Sequence, residues 1–153
     1  MKKAFKVLLS IILLVVVVLA VVLFVVLPAT LNSAAKLQTY DMGTDKIPSF
    51  NSIVGERKVT GVGSSSSTSG SQQKNYSYET ASLGDDLDAY VDGLRAAGLY
   101  VLRVLDGNKL KGNMQLGINS AEEGKMILLD LSWDSASCTV LLTKGVGTIT
   151  PNP

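Results

Sequence analysis

From Val7 to Leu27 the chain runs for 21 residues with a single polar side chain, Ser10. At about 1.5 Å per helical residue that length matches the roughly 30 Å hydrocarbon core of a bilayer. Lys2, Lys3 and Lys6 precede the run, and no carboxylate lies before Asp41. The run exceeds the apolar stretch of about 7 to 15 residues expected of a cleaved signal peptide. Small residues at Ala29 and at Ser33-Ala34-Ala35 offer two weak cleavage points, but a retained anchor is the expectation. Positive residues beside a first span stay in the cytoplasm. Residues 1–6 are therefore read as a cytoplasmic stub, 7–27 as a single transmembrane anchor, 28–52 as a stalk and 53–150 as an extracytoplasmic domain.

Composition narrows what that domain does. With the three leading lysines set aside, eleven basic residues face thirteen acidic ones, and no basic run is longer than Arg57-Lys58. A nucleic-acid partner needs a concentrated positive face, and none is written here. There is no histidine, which removes the commonest general base and transition-metal ligand together. One cysteine, Cys138, permits no internal disulfide. An extracytoplasmic domain built without disulfides points to a bacterial cell envelope.

The 28–52 stretch is polar and mixed. Pro28 is expected to end or kink the anchor helix, and Met42-Gly43-Thr44-Asp45 has turn chemistry. Beyond it, Arg57 to Gly63 reads as a strand, the serine-rich 64–71 stretch as a loose loop, and Lys74 to Thr80 as a second strand. Leu87, Tyr90, Val91 and Leu94 follow helical spacing. Ser82 and Asp85 resemble a capping box at the start, and Gly98 suits the C-terminal cap. Four strands follow: Leu99–Leu105, Leu110–Asn119, Met126–Trp133 and Cys138–Lys144. Their alternation puts Leu110, Met114, Leu116 and Ile118, then Ile127, Leu129, Leu131 and Trp133, then Cys138, Val140 and Leu142 on one face. The 145–153 tail reads as frayed. The fold class is α+β, a small two-layer domain of order ββαββββ. One helix packs on one face of an antiparallel sheet.

No set of residues assembles a reaction centre, and no catalytic residue, cofactor or metal is assigned. Asp85, Asp86, Asp88 and Asp92 could bind Ca²⁺, and Asp85, Asp88 and Asp92 share a helix face, but carboxylates on one helix seldom converge and the helix dipole already accounts for the first three. Asp106 to Lys109 opens like a calcium loop and lacks its later ligands. Glu56, Glu79, Glu122 and Glu123 are not paired as a glycosidase requires. Ser-x-x-Lys at Ser33–Lys36 and Ser71–Lys74 lacks its companion motifs. Tyr76, Tyr78, Tyr90, Tyr100 and Trp133 read as core aromatics before they read as a sugar platform. Cys138 reads as a buried thiol. On the opposite sheet face Met126, Leu128 and Leu141, with Tyr100 or Val101, form a candidate partner patch.

The expectation is therefore a membrane-tethered, extracytoplasmic, non-catalytic interaction or structural module of the envelope, with an envelope protein as partner. The alternative is an envelope glycan- or peptide-binding domain, or a hydrolase using carboxylates.

Overall fold

A computed structural model of the chain describes residues 2–68, 70–107 and 110–150. Helix α1 (Lys2–Val21) passes through a wider π-type turn (Val22–Val26) into α2 (Leu27–Ala35). The backbone N–H of Leu27 donates to the carbonyl of Val22, five residues back. Pro28 supplies the reason. It has no N–H to donate, and its ring would meet the carbonyl four residues before it in a regular turn. The expected break at Pro28 is thus a local widening, and the helix runs on to Ala35. Its Ser10–Ala35 portion is apolar, long enough to cross a membrane and unburied along its most apolar stretch.

The stretch expected as a stalk is part of the packed core. Strands β1 (Thr39–Met42) and β2 (Asp45–Pro48) form a hairpin, followed by the short helix α3 (Phe50–Val54). Tyr40, Met42 and Phe50 are fully buried and Ile47 nearly so. The hairpin turn is where its chemistry put it: Gly43 takes φ +79° and donates to the Asp41 carboxylate at 2.9 Å. Ser49 caps α3 by accepting from Ser52 N–H at 3.1 Å. Asn51 ties the joint, donating to the carbonyls of Ala35 and Arg57 at 3.0 Å each. Ala34 is buried, and Leu31 and Ala35 pack against the same core.

Six antiparallel strands make the main sheet. They are β3 (Lys58–Ser66), β4 (Gln72–Glu79), β5 (Tyr100–Gly107), β6 (Lys111–Asn119), β7 (Lys125–Asp134) and β8 (Ser137–Val146), in the order β3-β4-β8-β7-β6-β5. Helix α4 (Leu83–Ala96) connects β4 to the far edge strand β5 and packs against the sheet. Leu87, Tyr90, Val91 and Leu94 are its buried stripe, as their spacing requires. Leu116, Ile127, Leu129, Leu131, Cys138, Val140 and Leu142 are the fully buried residues they meet in one core. Leu110 differs from expectation: it precedes β6 and is 68% exposed.

The ends of α4 are made in two ways. Gly98, at φ +91°, donates to Arg95, and Leu99 donates to Leu94, so both last-turn carbonyls are satisfied in a Schellman cap. The expected capping box is not formed. Ser82 makes no side-chain cap. Instead Thr80 Oγ1 accepts from Ser82 N–H at 3.1 Å and donates to the Asp86 carboxylate. Gly93 lies under α3, where a Cβ would come within 2.6 Å of Ile53.

Two further expectations are revised. Ser64, Ser65 and Ser66 are strand residues paired with Lys74, Gln73 and Gln72, and beyond them Ser67 N–H donates to Ser71 O at 2.9 Å. Serine has little strand preference, but β4 is held along its whole length by β8 and presents a continuous edge for β3 to follow. The 145–150 stretch is ordered rather than frayed. β8 extends to Val146, and Ile149 is buried on the other sheet face, where Asn119 both donates to its carbonyl and accepts from its N–H.

Candidate functional site

Strand alternation that sends Cys138, Val140 and Leu142 inward sends Lys144 inward as well. Its side chain is 4% exposed. Its ammonium lies 2.7 Å from the Asp45 carboxylate and 2.5 Å from that of Glu122, and donates to the Met42 carbonyl at 2.9 Å. Asp45 also accepts from Ser120 Oγ at 2.6 Å and Ala121 N–H at 2.8 Å. Burial opposes its charge, but these donors and Lys144 hold it down from 3.8 to about 2. Lys125, with Lys144, holds Glu122 down to about 2. Burial works against the Lys144 charge, yet Asp45 and Glu122 raise its pKa overall. A nucleophilic or basic lysine must shed its proton and a carboxylic acid must carry one. This arrangement favours the opposite forms, so its chemistry is that of a clamp between the β1–β2 hairpin, the 120–125 turn and β8.

A second satisfied pair sits at the start of α4. Arg57 donates to both Asp86 oxygens at 2.7 Å, and Thr80 donates to one of them. Arg57 lowers the Asp86 pKa. Tyr76, Tyr78 and Tyr90 are core, as read from sequence, whereas Tyr100, read the same way, is not. Tyr40 and Tyr78 share a hydroxyl contact of 2.6 Å, and Tyr40 also accepts from Phe50 N–H at 3.0 Å. Tyr100 lies on the opposite face, 46% exposed. Cys138 is buried, and burial, with the nearby Asp86 charge, pushes its thiol up to about 12. Ser33 donates within its own helix to Ala29 O, and Ser71 shares a hydroxyl contact with Ser67. Glu79 pairs with Lys58. The Asp106–Lys109 turn lies partly outside the described residues.

Met126, Leu128 and Leu141 do share the sheet face away from α4, each half-buried. The face is not bare around them. Ile149 lies over Gly117, the cross-strand partner of Leu128, where a Cβ would come within 2.4 Å of it. Met126 packs on Gly147. Of the two candidates to extend the patch, Tyr100 faces out and Val101 pairs with core-facing Leu116.

A concave feature lies on the α4 side. A groove of about 580 Å³ runs between α4 and the β5–β7 part of the sheet. Leu87 and Val91 form one wall, and Val104, Met114, Leu131 and Trp133 the other. Asp88, Asp92 and Arg95 sit on its helical rim, Arg95 3.6 Å from Asp92. Both carboxylates project from one helix and face an apolar wall, so they do not flank a bond from two sides as hydrolytic pairs do. Among the described residues no group of three or more His, Cys, Asp or Glu is disposed to hold a metal ion.

Sequence reading missed the Lys144 clamp and the groove. The clamp left a signal, a lysine in phase with core residues of its own strand. The groove left none, because it depends on how α4 and the β5–β7 part of the sheet sit against one another. Comparison with protein-family models, curated proteins and solved structures found no match to this chain.

Proposed function

We propose that this chain is a non-catalytic interaction or structural module held on the outer face of a membrane by its N-terminal helix. The observation that carries this reading is that the apolar, unburied helix is continuous with the folded domain. Residues of α2 past Pro28 belong to the core, and Asn51 bonds the Ala35 carbonyl. Removal after Ala35 would strip Leu31, Ala34 and Ala35 from that core, which favours retention. Lys2, Lys3 and Lys6 favour a cytoplasmic N-terminus. The alternative of a carboxylate hydrolase draws less support, since Asp45, Glu122 and Asp86 are engaged in ion pairs and the groove has carboxylates on one wall only.

The test is topological. In a Cys138→Ser background, Ser135→Cys places one exposed thiol on the β7–β8 turn. A membrane-impermeant maleimide should label it in intact cells, on a band of full-length mass in the membrane fraction. Labelling only after lysis overturns the topology, and a band lacking residues 1–35 overturns the anchor.

A further inference from the structure

We propose that the groove between α4 and the β5–β7 part of the sheet receives an extended polypeptide segment in which an apolar side chain alternates with basic ones. This rests on the reading of the chain as an interaction module, and it supplies that module's site and partner chemistry. The groove's volume lies in the range of sites that hold ligands. Its walls are apolar where the neighbouring core is closed: Leu131 is fully buried, while Met114 and Trp133 are half-buried and Val104 is 60% exposed.

The charge of the rim selects the occupant. Asp88 and Asp92 line it, and Asp85 stands exposed one turn earlier. Among the described residues the rim's cation is Arg95, and it is already drawn to Asp92. A basic residue is attracted there and an acidic one repelled. Position favours a polypeptide. β5 is the last strand of the sheet among the described residues, so its outer backbone edge is open to an added extended segment. The opposite edge strand, β3, is instead packed by α2. Bulges between Val101 and Arg103 and between Val104 and Asp106 keep any such pairing short. The side chain seated in the groove then carries most of the contact.

Trp133 is the chain's only tryptophan, and it lines the groove, so its emission reports occupancy directly. The full-length chain in phosphatidylcholine bicelles is titrated with three end-blocked hexapeptides, Lys-Val-Lys-Leu-Lys-Val and its counterparts with Ser or Glu in place of Lys. The lysine peptide should shift the emission saturably, the serine peptide more weakly, and the glutamate peptide not at all. Asp88→Lys with Asp92→Lys, both at exposed positions, should weaken the lysine peptide by about tenfold. Val104→Arg should abolish its binding. Circular dichroism melts of each variant should match the parent. No saturable shift up to millimolar peptide, equal affinity for the lysine and glutamate peptides, or indifference to the charge reversal overturns the proposal. If the thiol-labelling topology holds while the titration fails, the groove is dismissed and the tethered module stands.

Discussion

Lys144 and Asp45 come from opposite ends of the folded domain, and their charged groups meet at 2.7 Å with the lysine side chain 4% exposed. The pair ties a short N-terminal hairpin to the last strand of the sheet. Breaking a buried pair from one side leaves the other charge without its partner, which is costlier than never having had the pair.

Lys144→Met should therefore lower stability by about 3 kcal/mol in urea unfolding. Adding Asp45→Asn should recover part of the loss, because the stranded carboxylate is gone. A double variant less stable than Lys144→Met would show that Asp45 acts mainly through Ser120 and Ala121.

Acid should expose the same carboxylates. The folded-state pKa of Asp45 is depressed to about 2, and that of Asp86 is lowered by Arg57. A depressed carboxylate contributes its stability above its ordinary value and loses it as pH falls through the folded value. Melting temperature should then hold steady near neutrality and fall between about pH 4 and pH 2. In Lys144→Met, Asp45 titrates closer to its ordinary 3.8, and the fall should be shallower. An acid profile identical in both proteins would remove Asp45 from it.

The buried tyrosines should be unequal. Tyr40→Phe removes the acceptor of the Phe50 N–H as well as the Tyr78 contact, stranding a buried donor. Tyr78→Phe leaves that donor satisfied. Tyr40→Phe should cost about 2 kcal/mol and Tyr78→Phe about 1 kcal/mol. The reverse order in thermal or urea melts would place the important bond elsewhere.

Cys138 should be silent to thiol reagents at pH 8 in the folded chain, since its thiol is buried and pushed up to about 12. Its labelling rate should track global unfolding across a urea series. Labelling at native rates independent of urea would mean that β8 opens locally.

Residues whose side chains repeat with the period of their own element were legible. The α4 stripe and the inward rows of β7 and β8 follow from spacing alone, as does the α+β class. What the sequence hid depends on partners far along the chain. Tyr40, Met42 and Ile47 sit on strands of four residues, too short to display a period. Ser64 to Ser66 become strand because β4 is already fixed. Lys144 was visible as a lysine in phase with Leu142, but nothing local says that Asp45 and Glu122 receive it. The groove is a relation between layers and has no sequence period.

The hairpin and α3 decide where the folding unit begins. A fragment of residues 53–150 loses Tyr40, Met42, Ile47 and Phe50, all in the core. Each such side chain stabilises the fold by about 1.5 to 3 kcal/mol on burial, so together they rival the roughly 5 to 15 kcal/mol that holds a typical domain. That fragment also loses Asp45 and the hairpin that covers Lys144, which undoes the clamp. It should show no cooperative melt and no dispersed amide spectrum. A fragment of residues 28–153 keeps all of α2 but Leu27, with the hairpin and α3, and should melt cooperatively. Folding of the shorter fragment with stability close to that of the longer one would make residues 28–52 the stalk that their polarity suggested.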